Sequence, residues 1–330
     1  MIFSLEDSYN FFNEVKKYFF VKSFKITSVV NDSLNLPHYK GSAIRGCFGV
    51  SLKKIVCLNK KSKICEDCKN RLYCPYYRIF ESVYNGEIPF IGKVLTKPHP
   101  FIIEPYIDSK RIFNKNENFN FNIIIIGREF LNFLSLFVLT FIEMGDIGIG
   151  KGRKKFKLTK VESEFDSQTI FDFNKGFFYS EFFKSDFEYE ELPESEIDII
   201  NLNFITPMRL VYKGKYVKDN IDFSILLRNI IRRFISLSFL YNDWVIDIPY
   251  YELIQESKKI KVKESNLLWY DWERYSKRKD ERIKLGGLVG NITFYGQITP
   301  FLPFLIIGKH IHVGKNTSFG LGKYEINFNS

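Results

Sequence analysis

The sequence predicts an α+β fold made of two tandem ferredoxin-like units, each running strand, helix, two strands, helix, strand. Three observations carry that prediction. The order of strand-like and helix-like stretches repeats across the two halves, a Gly-Ile/Leu-Gly-Lys motif closes each half, and an acidic stretch divides them. The first domain is expected over 1–162, an acidic linker over 163–198 and the second domain over 199–330.

In the first half, a strand and a proline turn lead into a basic helix, LPHYKGSAIRGCFGVSLKKIV. A later strand ends NIIIIG at Gly127, and the apolar stretch FLNFLSLFVLTFIEM (130–144) reads as a buried helix. Gly148-Ile149-Gly150-Lys151 then opens an alternating strand within IGIGKGRKKFKLTKV. The second half repeats the series. LNFITPMRLVYKG precedes the helix FSILLRNIIRRFISLSFLY, NITFYG ends at Gly296, and Gly320-Leu321-Gly322-Lys323 opens the last strand of FGLGKYEINF.

The chain has 330 residues, a net charge of +10 and a pI near 9.1, a balance that favours an acidic partner such as nucleic acid. Ten basic residues face only Glu66 and Asp67 between Lys40 and Phe80, and six lie between Lys151 and Lys160 with no acid. From Glu162 to Ile200 the sign reverses, with twelve acids against Lys175 and Lys184, which suits a linker or lid. The first residues, MIFSLEDSYNFF, lack a secretory pattern, and the apolar stretch at 130–144 is too short and too polar to span a bilayer. The expected location is the cytoplasm, with no membrane partner.

All five cysteines fall between Cys47 and Cys74. Cys57, Cys65-x-x-Cys68 and Cys74 have the spacing of an all-thiolate structural zinc site, and four sulfur ligands would leave no open position for catalysis. Disulfides are disfavoured in a reducing compartment. Cys47 reads as a packed helix residue.

LPHYKGSAIRGCFG (36–49), the cysteine cluster with CPYYRIFE (74–81) and KPHPFIIEP (97–105) resemble, in order, one group of the RAMP superfamily. The group is the CRISPR-associated endoribonucleases that process precursor CRISPR RNA. The stretch WERYSKRKDERIKLGGLVGNITFYGQITPFLPFLIIGKHIHVGKNTSFGLGKYEI (272–326) is similar to the C-terminal domain of that family nearly throughout. The resemblance implies paired RNA-recognition-like domains and metal-independent cleavage within a CRISPR repeat. In that reaction a ribose 2′-hydroxyl attacks the adjacent phosphate, leaving a 2′,3′-cyclic phosphate and a 5′-hydroxyl. It further implies that the guide then passes to an interference complex.

Such chemistry needs a group to take the 2′-hydroxyl proton, a group to protonate the leaving oxygen, and cations for the phosphorane. Histidine suits the proton transfers, and the chain has four. His312 matches the family's glycine-loop histidine and ranks first; His38, at the entrance to the first basic helix, ranks second. The family commonly places its catalytic histidine near that helix, although His38 departs from this group's usual residue there. His310 would share a face with His312 on an extended segment, and His99, between two prolines, reads as a packing residue. Lys315 and Arg45 are expected to stabilise charge. Lys40, Arg45, Arg274, Arg278, Lys279, Gly314, Gly320 and Gly322 are expected to contact RNA, and Tyr39 or Tyr275 could stack a base. A nucleotide-hydrolase loop is disfavoured, because five residues separate Gly308 from Gly314 and Asn316 replaces the hydroxyl that would hold magnesium. The alternative function is a non-catalytic RAMP subunit that binds guide RNA.

Overall fold

The computed structural model describes residues 4–59, 64–81, 83–178, 189–219, 221–271, 273–276 and 281–328. It divides into two compact units. One comprises Val21–Gly86 and Lys93–Phe187; the other comprises Met1–Phe20, Glu87–Gly92 and Glu188–Ser330.

The first unit is built on a six-stranded sheet. Its strands are β1 (Val21–Val30), β2 (Phe101–Pro105), β3 (Asn118–Ile126), β4 (Phe156–Ser163), β5 (Thr169–Asp172) and β6 (Phe177–Phe178), in the order β6-β5-β4-β1-β3-β2. Helices α2 (Gly41–Val56) and α3 (Leu134–Ile147) supply the two crossovers. The central order β4-β1-β3-β2 is that of a βαββαβ unit, and every pairing in it is antiparallel. Alternation makes one face apolar: Phe24, Ile26, Phe101, Ile103, Phe121, Ile123 and Ile125 are all 0% exposed. Helix α2 meets that face through Ile44, Phe48 and Leu52, residues four apart and so on one stripe. Phe48 stacks on Phe137 of α3 at 5.5 Å and meets Phe101 of β2 at 5.2 Å. The stretch expected as an acidic linker therefore begins as sheet, since β5 and β6 lie within it.

The second unit repeats the plan with β7 (Ile199–Met208), β8 (Lys261–Tyr270), β9 (Gly287–Tyr295) and β10 (Tyr324–Phe328) in the order β8-β9-β7-β10. Its crossovers are α4 (Phe223–Tyr241) and α5 (Leu302–Ile311). Pro303 sits in the first turn of α5, where a missing N–H costs nothing. One further helix, α1 (Leu5–Tyr18), belongs to this unit although it comes first in the chain. A reciprocal Ser4–Asp7 capping box starts it. Its apolar stripe then packs Phe11 against Phe304 at 5.0 Å, and Phe19 just past its end meets Phe234 edge-on at 4.8 Å. Among the described residues no helix is long and apolar enough to cross a membrane.

Candidate nucleic-acid interface

In the first unit the expected residues cluster where the chain enters α2. His38 is exposed in the turn before the helix. Tyr39 lies beside Glu104, and burial first, then that carboxylate, pushes its phenol well above the usual range. Lys40 was expected on RNA but is 3% exposed, with its ammonium bonded to Asp108 Oδ1 at 2.6 Å and to the Asp108 carbonyl at 3.3 Å. A lysine held this way anchors the turn and has little left for a phosphate. Arg45 lies over the Phe80 ring, 4.4 Å from its centroid, with Nη2 2.8 Å from His99 Nε2. The same Nε2 lies 3.0 Å from the Phe80 carbonyl. His99 is thus a packing residue, as its two prolines suggested, and it fixes the Arg45 side chain.

In the second unit the loop after α5 carries the first-ranked histidine. The segment through Ile311 is helical, so His310 and His312 do not share a strand face. His310 is instead edge-on to Tyr189 at 5.2 Å. His312 ends the helix with a positive φ of 54°, is 0% exposed and places Nδ1 3.1 Å from the Leu321 carbonyl. That contact ties the two ends of the loop together. Val313 N–H donates to the Gly322 carbonyl at 2.9 Å, and a Cβ at Gly322 (φ 78°) would lie 1.9 Å from the Val313 carbonyl oxygen. Gly314 (φ 94°) lets the loop touch the end of β7, where Lys315 N–H donates to the Arg209 carbonyl at 3.0 Å.

The amides of this loop were expected to face an RNA phosphate. Those of Val313, Lys315, Phe319, Gly320 and Lys323 all bond within the protein. Gly320 and Gly322 are buried; Gly322 serves close backbone approach, and Gly320 takes the left-handed turn (φ 87°). Lys315 is the exposed cation of the loop. The matching motif of the first unit is a tight hairpin in which Ile149 and Lys154 exchange backbone bonds. It leaves Lys151, Arg153, Lys155 and Lys157 exposed. Arg274 lies on the strand Glu273–Ser276, with only its backbone described, and Arg278 and Lys279 fall outside the described residues.

The four proposed zinc ligands are half-buried free thiols. Cys65 and Cys68 form a turn closed by Cys68 N–H to the Cys65 carbonyl at 3.1 Å, and the Lys53 ammonium lies 3.7 Å from Cys65 Sγ. Burial pushes the Cys65 thiol up while Lys53 opposes it. Among the described residues, no three histidine, cysteine or acidic side chains gather as a metal-ligand set. Burial lifts the Cys47 thiol to about 11, consistent with a packed residue.

Sequence reading passed over two arginines beside the glycine loop. Arg233 of α4 donates from Nε to the Ile311 carbonyl at 2.9 Å, which caps the negative end of α5. Arg209, directly after β7, is 6% exposed. Its only advance signal was an arginine following the strand-ending sequence ITPM.

Comparison with known proteins bears on this arrangement. Residues 202–324 match the family model described as CRISPR-associated endoribonuclease Cas6, and residues 19–181 match one described as an N-terminal domain. No curated protein sequence matches the chain. In structure it is similar to a Cas6 product complex (TM-score 0.55, 13% identity, 93% of this chain and 100% of that one). It is also similar to Thermus thermophilus Cas6 (TM-score 0.52, 12% identity, 94% and 99%). A third match is a partial Cas6-RT-Cas1–Cas2 complex (TM-score 0.53, 14% identity), where 94% of this chain spans 46% of the other. At these identities the structural likeness speaks to the fold.

Proposed function

We propose that this chain, whose residues 202–324 match the Cas6 endoribonuclease family model, belongs to that family, binds the repeat of precursor CRISPR RNA and cleaves it without a catalytic metal. The observation that carries the reading is the family match, which falls on the unit built around the glycine-rich loop. The net charge of +10 and the exposed cations Lys315, Lys151 and Arg153 support an RNA ligand.

In this reading the 2′-oxygen bonds to phosphorus and the phosphorus–O5′ bond breaks. A base takes the 2′-hydroxyl proton and an acid returns one to O5′, leaving a cyclic phosphate and a 5′-hydroxyl. His38 becomes the first candidate for proton transfer, because it is exposed whereas His312 is enclosed and bonded to Leu321. Arg45, in the same unit as His38, supplies positive charge for the phosphorane if it leaves its Phe80 platform, and Lys315 of the other unit is a cation for the RNA backbone. Incubating the protein with its own repeat RNA in excess chelator tests the reading. Site-specific cleavage is expected, and a strict need for added magnesium would contradict it.

The enclosure of His312 favours a second reading, a RAMP subunit that binds guide RNA without cutting it. Tight repeat binding with no product in the same assay would select it. The structural zinc also stands as a proposal, supported by the Cys-x-x-Cys spacing, the turn that joins Cys65 to Cys68 and the nearby Lys53. Cys57, Cys65, Cys68 and Cys74 would hold it and clamp the chain beyond α2. Elemental analysis is expected to find one zinc per chain, lost when Cys65 and Cys68 are both changed to Ser; a metal-free purified protein would contradict it.

A further inference from the structure

We infer that Arg209 forms an anion site beside the glycine loop, built to take one phosphate of bound RNA. The inference rests on the RNA-binding reading and goes beyond it in naming a site that the sequence did not suggest. A guanidinium keeps its charge at any physiological pH. Enclosing it is costly unless an anion or a full set of acceptors comes with it. Arg209 is 6% exposed, yet among the described residues no carboxylate pairs with it. Among the described residues its one side-chain hydrogen bond runs from Nη1 to the Lys284 carbonyl at 3.1 Å, and Nε is buried without a partner. A cation that merely stabilised the fold would be expected to have acceptors around it; among the described residues this one is left short.

The surroundings suit an anionic visitor. The guanidinium carbon lies over the Tyr216 ring, 4.5 Å from its centroid, and Tyr216 is itself 46% exposed. This contact and the bond to Lys284 restrain the guanidinium, which lowers the entropy lost when it binds phosphate in bidentate fashion. The Arg209 backbone is held just as firmly, since its carbonyl accepts from Lys315 N–H and a Cβ at Gly314 would lie 2.6 Å from that oxygen. Lys315 follows Gly314 directly, while Lys213, Lys215 and Lys284 are exposed on adjoining segments. The site is therefore an oriented, under-satisfied arginine within a group of lysines. A phosphodiester oxygen supplies the charge and the acceptors it lacks; a neutral ligand would supply only the acceptors.

The test is binding of a single-stranded repeat RNA across a salt series, read by fluorescence anisotropy, for wild type, Arg209→Gln and Arg209→Lys. Arg209→Gln is expected to weaken binding about tenfold at low salt and to reduce the slope of log K against log[salt] by about 0.7, one phosphate contact. Arg209→Lys should keep the slope but recover only part of the affinity, because lysine keeps the charge without the fork. A folded Arg209→Gln protein with wild-type slope and affinity would overturn the inference. If Arg209→Gln does not fold, Tyr216→Ala, a change at an exposed ring, is expected to weaken RNA binding severalfold, and unchanged binding would overturn it. Because the readout is binding, a protein that binds RNA but fails to cut it would sink the nuclease reading and leave this site standing. Failure of the wild-type protein to bind any RNA would sink both.

Discussion

His38 and His312 are the same side chain in opposite surroundings, and the surroundings decide what each can do. His38 stands exposed in the turn before α2, while His312 is closed off with its ring on the Leu321 carbonyl. His38→Ala is expected to reduce the rate of repeat cleavage by about 10²–10⁴-fold, the usual weight of a general acid or base, with repeat affinity nearly unchanged. Single-turnover cleavage beside a binding titration checks it, and full activity would remove His38 from the mechanism. For His312→Ala the expected loss is in stability, about 1–3 kcal/mol, since the Leu321 carbonyl is left buried without its donor. A thermal melt reads that loss. Lys40 and Arg45 carry a similar lesson. Both were legible as basic residues near a candidate histidine, but which cations are already engaged depends on Asp108, Phe80 and His99, and these approach only when the chain folds.

At the scale of elements, local signals in the sequence located the repeated strand and helix series of both units, but not α1 or the strands β5 and β6. The Phe/Asn alternation of β3, the spacing of Ile44, Phe48 and Leu52 on α2, and the Gly-x-Gly turns before the closing strands are local signals. The internal wiring of the glycine loop was not legible. Its glycines looked like a phosphate cradle, yet Gly322 is glycine because the Val313 carbonyl occupies the space a Cβ would need. Gly322→Ala is accordingly expected to cost about 1–3 kcal/mol or more through backbone strain, and a chemical denaturation curve would show it. Helix α1 was equally hidden. Its apolar stripe can be read from the sequence, but the surface that receives it, Phe234 and Phe304, lies more than two hundred residues along the chain. Phe11→Ala is expected to cost about 3–5 kcal/mol, an outcome a helix without packing partners would not give.

For the whole molecule, the duplicated βαββαβ plan explains why function was easier to place than mechanism. A repeated fold and a repeated basic motif suit an anionic ligand, and the match of residues 202–324 to the Cas6 family model supports RNA as that ligand. Neither repeat tells which protons move. Proton transfer depends on single side chains whose exposure is set by loop closure, and four histidines offered only a short list. The cysteine cluster is a comparable case, where spacing points to a metal and the described thiols do not gather as a ligand set.

The central claim, metal-independent cleavage of a CRISPR repeat, is tested most directly by mapping the ends left on repeat RNA after incubation with the wild-type protein in excess EDTA. A single cut within the repeat, with a 2′,3′-cyclic phosphate on one fragment and a 5′-hydroxyl on the other, is the predicted result. Intact RNA, or cleavage that begins only when magnesium is added, would contradict the account.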